Sequence, residues 1–416
     1  MPDALMLGEE FFEDLWSTYN RLRELGPIHR ITLPNGLAAW LVIDYELGKQ
    51  VLADPRLSKD EESSGAAARR QGISAGWQQG AGPRPLRMNL LNTDPPDHTR
   101  LRSLVNKAFT PAASAHMRPT IEALAAGLIK ELYERDQRQP VDLLDSYATP
   151  LPIAVICSLL GIPAEDQDTF GSLITTIMDE TAVADGERSR QARVELSGYL
   201  IQLVADRRDH RGGRRDDEDR DLLDRLITAQ VDHDRLSDQE VVATIGLLLV
   251  AGYDTTVHLI ANAIFLLATQ PAVRARAAAN PDELGKLIEE VLRWEGPGHA
   301  ATLRHTTSPI TLGGTQIEEG EFLIVSVAAA NRDPAVYTDP DSFQFDRHEP
   351  SHLSFGHGIH YCVGAPLARL EAEIALYALL DAFPEFTLAA DPDSLSWRHS
   401  MIIRGRTSLP IQLAGP

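Results

Sequence analysis

Cysteine is nearly absent from this chain: 416 residues hold two, Cys157 and Cys362. Two thiols cannot build a disulfide framework, and their scarcity fits a reducing cytoplasm. Positive charge is also short, with 39 Lys and Arg against 60 Asp and Glu, a formal net charge of -21. A nucleic-acid binder usually carries a basic domain, so that class is set aside. The acidic excess favours solubility and carries no information about fold. The first residues, MPDALMLGEEFFEDLW, have no basic stretch followed by an apolar one, so neither a signal peptide nor an N-terminal anchor is expected.

One apolar run, residues 241–268, is long enough to suggest a membrane span. Its polar residues Asp254, His258 and Asn262 recur every four positions, on one stripe of a helix. A central Asp costs roughly 2.5–3.5 kcal/mol in a bilayer. The preceding segment DHDRLSDQE is acidic. The expectation is therefore no membrane span, but a long helix through the middle of a soluble protein, its polar stripe lining a cavity.

Along the chain, the first 27 residues have helical spacing, and a hairpin is expected around Asn35-Gly36. Residues 58–85 are rich in Gly, Ser, Ala, Gln and Arg without clear periodicity, which predicts a lid or disordered loop reaching to about 91. Helical spacing then dominates over 94–109, 111–135, 145–160, 165–180, 187–208 and the long apolar segment. The mixed-charge run 207–221 reads as a solvated connection. Helix 281–297, β-like pieces at 310–317 and 321–330, a helix over 365–383 and a β-rich tail follow. No repeat or Gly/Ser linker divides the chain. The fold class expected is mainly α with small β-sheets (α+β), in a single domain over 1–416.

The chemistry concentrates in FGHGIHYCVGAPLAR, residues 355–369. Cys362 lies just before a helix whose first turn suits Pro366, and the positive end of that helix favours a thiolate. Gly358 and Gly364 let the backbone turn tightly and approach a bulky object. The arrangement suits ligation of a metal or cofactor by the thiolate, and a nucleophilic cysteine fits as well. His348, His352, His357, His360 and Cys362 also fall within fifteen residues. Their spacings match no common zinc pattern. Cys157, in the apolar PLPIAVICSLLGIP, reads as a buried core residue.

FGHGIHYCVG resembles the haem-binding signature of the cytochrome P-450 superfamily, the haem-thiolate monooxygenases. Phe355, Gly358, Cys362 and Gly364 fill each of its positions. Other motifs of the family follow the same order. EEVLR holds a Glu-x-x-Arg pair, Glu290 and Arg293, with Arg347 of FQFDRHEP completing a buried ion cluster in the family. AGYDTT supplies the small step Ala251-Gly252, which in the family makes room for dioxygen, and the acid–alcohol pair Asp254 and Thr255, which organises proton delivery. His98, Arg102, Arg304 and His360 match positions that contact the haem propionates.

The resemblance implies the cytochrome P-450 fold, with haem b (iron protoporphyrin IX) between the long central helix and the cysteine-loop helix and Cys362 as axial ligand. It implies insertion of one oxygen atom of dioxygen into a hydrophobic substrate, with electrons from a separate ferredoxin and its reductase. Arg100, Lys107 and Arg369 are candidate docking points for that carrier. Family geometry implies a substrate pocket lined by Met88, Leu90, Leu91, Leu247, Leu248, Val250, His299, Ala300, Met401 and Ile402. Their apolar character points to a large natural product, macrolide- or polyketide-like, hydroxylated or epoxidised by a monomeric cytoplasmic enzyme. Oxidative coupling of a peptide-like or aromatic metabolite would need no different motif. A haem-binding sensor would not need Asp254 and Thr255, and a zinc- or cysteine-dependent hydrolase would be colourless.

Overall fold

The computed structural model describes residues 5–6, 9–73, 86, 89–178, 187–209, 221–231, 234–349 and 351–414. The chain forms two compact units: residues 1–58, 121–151 and 255–416 make one, and 59–120 and 152–254 the other.

The first unit carries the sheets. The hairpin is formed by Ile28–Thr32 and Ala38–Val42, in register from Ile28 opposite Val42 to Thr32 opposite Ala38. The turn between them closes on Gly36, at φ 85°, with Asn35 Oδ1 accepting from the Leu37 N–H at 3.1 Å. Among the described residues six strands make the main sheet, in the order Leu5–Met6, Ile28–Thr32, Ala38–Val42, Phe322–Val325, Arg304–Thr306, Leu57–Ser58. Its central strand FLIV is buried at every position, as a strand covered on both faces should be. Val42, Val51, Leu52, Leu323 and Val325 share one apolar cluster with the small hairpin Ile310–Leu312 and Thr315–Ile317.

Two helices position the cysteine loop. Ala365–Ala382 buries Leu367, Leu370, Ala372, Ile374, Ala375, Leu376, Leu379 and Leu380, so it is apolar nearly all round and sits in the core. Leu284–Glu295 packs against it. Tyr147 and Tyr133 donate their hydroxyls to the carbonyls of Ala375 and Ala382, at 2.7 and 2.8 Å.

The second unit is helical. Gln167–Met178 packs on Glu187–Asp209, and Asp97–Ala108 packs on Leu222–Thr228. Arg207 binds them locally: it donates to Asp221 at 2.6 Å, to Asp224 at 3.1 Å and to the Gly161 carbonyl at 2.7 Å. The mixed-charge run therefore begins in ordered structure, Arg207 and Arg208 being ion-paired, while 210–220 lie outside the described residues.

The loop expected over 58–85 is corrected in part. Glu61–Arg70 is a helix. It lacks an apolar stripe but has strong ends: Asp60 accepts from the Ser63 N–H at 2.9 Å, Glu61 and Glu62 occupy the first turn, and Arg69 and Arg70 the last. Residues 74–85 of the expected lid are outside the described residues. The segment 145–160 is also broken, into a π turn Leu144–Ala148 and the helix Pro150–Leu160. Pro150 and Pro152 have no N–H to donate across that junction.

The long apolar segment is one helix, Asp238–Thr269, of 32 residues. It is long and apolar enough to cross a membrane, yet 67% of its apolar stretch is buried inside the protein.

Candidate active site

The loop from Phe355 to Gly364 is closed by its own backbone. The Cys362 N–H donates to the Phe355 carbonyl at 2.8 Å, and the Tyr361 N–H to Gly358 at 3.1 Å. Gly356 and Gly358 hold φ of 75° and 72°, a region open mainly to glycine. A Cβ on Gly358 would lie 2.9 Å from the Leu52 carbonyl oxygen and 3.1 Å from Ala53 Cα. The close approach expected toward a bound object is therefore made, at Gly358, toward the helix Tyr45–Ala53. Gly364 caps the helix Ala365–Ala382, and a Cβ there would make an ordinary contact, 3.8 Å from the Cys362 sulfur.

This loop turns apolar surface outward. Ile359 is 51% and Tyr361 42% exposed, and Cys362 between them and the buried helix is exposed too. Cys157 is buried, and burial pushes its thiol up to about 11. The two cysteines differ as a soft donor offered outward differs from an inert core residue. Phe355 packs under Arg369, whose guanidinium carbon is 4.4 Å from the ring. Arg369 forks onto Glu289 at 2.6 and 2.9 Å. Burial alone would raise Glu289, but Arg369 and His352 outweigh it and hold the carboxyl at about 2.

Behind the loop, the expected ion cluster is present. Arg293 donates from Nε and Nη2 to the two oxygens of Glu290, both at 2.8 Å, and Arg347 Nε donates to Oε1 at 2.9 Å. The remaining guanidinium hydrogens go mostly to carbonyls, Arg293 to Asn331, Pro340 and Ser342 and Arg347 to Thr338, Asp339 and Ser342, while Arg347 also reaches the Glu349 carboxylate at 3.4 Å. Glu290 and Arg293 are buried. With its lone pairs and protons satisfied, the cluster fixes the irregular segment 331–347 against helix Leu284–Glu295. Asn331, which sequence reading missed, extends the brace. It accepts from the Leu353 N–H at 2.7 Å and donates to Ser354 at 2.8 Å, at the start of the cysteine loop.

Arg304 is buried at the start of its strand, where it donates to the Thr302 carbonyl at 3.1 Å. His360 lies half-buried in the short turn Gly358–His360. In the second unit, His98 and Arg102 sit one turn apart on the helix Asp97–Ala108, and burial, then the Arg102 charge, pushes His98 down.

The long helix is buried on most of its length but opens over one stretch. Leu247, Leu248, Val250, Gly252 and Thr255 are half-buried and Ala251 is exposed, while Asp254 is buried. Residues 247, 248, 251, 252 and 255 share one helical face. Before it, Gly246 admits Leu86: a Cβ there would fall 2.6 Å from Leu86 Cδ2. Leu90 is buried and Leu91 half-buried, and Met88 lies outside the described residues.

Two expectations need correction. His299 is a buried hub, not an open lining residue. Its Nδ1–H donates to the Ser400 carbonyl at 3.2 Å and its Nε2 accepts from the Tyr19 hydroxyl at 2.7 Å, which in turn accepts from Ser326 at 2.7 Å. Burial pushes it down to about 4. Ala300 is buried beside it, whereas Met401 is half-buried and Ile402 exposed. Arg100 and Arg369 are not free docking cations: Arg100 pairs with Asp234 and Glu240, and Arg369 with Glu289. Lys107 is exposed.

The Cytochrome P450 family model matches residues 170–400, more than half of the chain. The chain belongs to the cytochrome P450 family. Cytochrome P450 107B1 of Saccharopolyspora erythraea is 42% identical over 412 residues, 99% of this chain and 98% of the relative. The 6-deoxyerythronolide B hydroxylase of the same organism is 37% identical, over 100% of this chain and 99% of the relative. The solved structure of the Bacillus subtilis bacillaene polyketide synthase cytochrome P450 PksS superposes with a TM-score of 0.86, at 34% identity and 98% coverage of both chains.

This P450 is therefore a monooxygenase. Its class uses a haem iron, dioxygen and electrons from redox partners. The residues present in the first unit fit that group: an accessible thiol at Cys362 with exposed apolar neighbours, and the cationic side chain of Arg304.

Proposed function

We propose that this P450 oxidises a large, hydrophobic natural product of the macrolide or polyketide kind, by hydroxylation or epoxidation. Two similarities support the substrate class: one relative is named a 6-deoxyerythronolide B hydroxylase and another belongs to a polyketide synthase. The observation that carries the reading within the chain is the accessible face Leu247, Leu248, Ala251, Gly252 and Thr255, apolar except at its end, on a helix buried along most of its length.

Bound haem b, held by the Cys362 thiolate, would supply dioxygen activation and oxygen-atom transfer, with two electrons and two protons accounting for the water released. The chain's own side chains do the rest. Arg304 and Arg102 would neutralise the propionates, with His360 and His98 as hydrogen-bond donors to them. Ala251 and Gly252 keep bulk away from the reacting oxygen. Thr255 holds a water by its hydroxyl, and the buried Asp254 carboxylate hands on protons from solvent. Leu247, Leu248, Val250, Leu90, Leu91, Met401 and Ile402 exclude water and orient the substrate.

We further infer that the whole chain works as one catalytic domain. Support comes from relatives that align over 99–100% of it. Electrons are proposed to come from a separate ferredoxin and its reductase, with Lys107 among the docking cations. A cytoplasmic monomer is proposed, in keeping with two cysteines and the acid excess.

The test is a ligand screen by shift of the haem absorption band, followed by product mass analysis. Polyketide-sized ligands should shift the band and gain one oxygen atom on turnover. Shifts and turnover confined to small polar ligands would refute the proposal.

A further inference from the structure

A ladder of alternating cations and aromatic rings runs through the first unit. Arg332 lies 3.5 Å from the Trp16 ring and 5.2 Å from that of Trp294. Arg404 lies 3.4 Å from Trp397, and Arg406 lies 4.1 Å from Trp397 and 3.3 Å from Phe265. All three guanidiniums are buried. Stacking on ring faces stabilises them in part.

Among the described residues their charges are not balanced. Glu295, also buried, is the carboxylate that meets them from within the core, and both of its oxygens are taken. Oε1 accepts from Arg404 at 2.9 Å and Oε2 from Arg332 at 3.3 Å. Arg332 additionally reaches the exposed Asp341 at 3.3 Å. Arg406 receives neither. It is 8% exposed, and its Nε and Nη1 have no hydrogen-bond partner among the described residues. Burial pushes Arg406 down to about 10, with Arg404 adding and Glu295 opposing. It therefore remains charged at neutral pH.

Among the described residues Arg406 lacks two things, a carboxylate in contact, since Glu295 acts on it only from beyond ion-pair distance, and acceptors for two N–H groups. Water supplies only the second. We propose that Arg406, between Phe265 and Trp397, is the core of a binding site for a small monovalent anion such as chloride. The ligand must be compact, because aromatic rings lie on the guanidinium face, and singly charged, because Glu295 already meets Arg404 and Arg332. The backbone supports the placement: Arg406 pairs with Trp397 in an antiparallel bridge, and the Arg398 N–H donates to the Gly405 carbonyl at 2.9 Å. Occupancy would fix the turn between those two residues.

The haem-loaded protein can be tested directly. Thermal unfolding is followed in sodium chloride and in sodium gluconate at equal ionic strength, for wild type, Arg406→Met and a control at an exposed cation, Arg69→Met. Chloride should raise the wild-type Tm saturably, by about 2 °C or more over gluconate. The control should keep that difference and Arg406→Met should lose it. Crystals of the wild type grown in bromide should show an anomalous peak within hydrogen-bond reach of Arg406 Nε or Nη1. A halide effect that survives in Arg406→Met, no halide preference in the wild type, or no bromide at Arg406 overturns the proposal. If Arg406→Met does not fold, the bromide result on the wild type decides alone.

Discussion

Arg398 donates from Nη1 to Nε2 of His258 at 3.0 Å, tying the turn after Trp397 to the long helix. Arginine has no acceptor, so His258 is neutral with its proton on Nδ1. A Cβ on Gly405 would fall 2.1 Å from that nitrogen, so the ring is also held by close backbone. Burial, with the Arg398 charge adding, pushes His258 down to about 3. An unfolded histidine titrates near about 6.5. Below that pH the unfolded chain binds a proton the folded one does not. Stability from this group is complete above about 6.5 and is lost as the pH falls toward 3. By pH 5 the loss is about 2 kcal/mol. Denaturant unfolding at pH 7 and pH 5 should show His258→Asn losing less of its stability than the wild type, by about that amount.

Glu290 holds two arginines at once. Glu290→Ala leaves Arg293 and Arg347 buried without their carboxylate, a loss of about 3–5 kcal/mol. Soluble yield and haem content of the variant should fall together, and the thermal midpoint of any folded fraction should drop. A variant with wild-type haem content and midpoint would remove the cluster from its bracing role.

Gly358 combines a φ of 72° with a backbone carbonyl 2.9 Å from where a Cβ would stand. Gly358→Ala should therefore cost about 1–3 kcal/mol and displace the loop from helix Tyr45–Ala53. Gly364→Ala meets only an ordinary contact and has no positive φ, so it should cost less. Thermal unfolding of the two variants side by side checks the order.

Thr255 lies on the open face of the long helix, next to the buried Asp254. Thr255→Ala should leave electron consumption largely intact while product per electron pair falls several-fold, the difference appearing as peroxide or water. Parallel measurement of reduced cofactor consumed, peroxide and product reads this out. Unchanged coupling would take Thr255 out of proton delivery.

Local spacing carried much of this into the sequence. The cysteine loop, the Glu290–Arg293 pair and the 32-residue helix are each written within one short segment, so periodicity and turn chemistry expose them. The helix Glu61–Arg70 was missed because its stability lies in charged ends and a cap, not in an apolar stripe. His299 was misplaced because its partner Tyr19 lies 280 residues away. Arg369 looked like a surface cation for the same reason, since Glu289 is 80 residues distant. The imbalance at Arg406 depends on which carboxylate oxygens are already taken, and no sequence pattern records that.

Assignment of Cys362 as the iron ligand is tested most directly by the absorption spectrum of the reduced carbon-monoxide complex, compared between wild type and Cys362→Ser. Wild type should give the red-shifted band of a thiolate-ligated haem, and Cys362→Ser should bind haem without that band. A thiolate-type band that persists in Cys362→Ser would contradict the account.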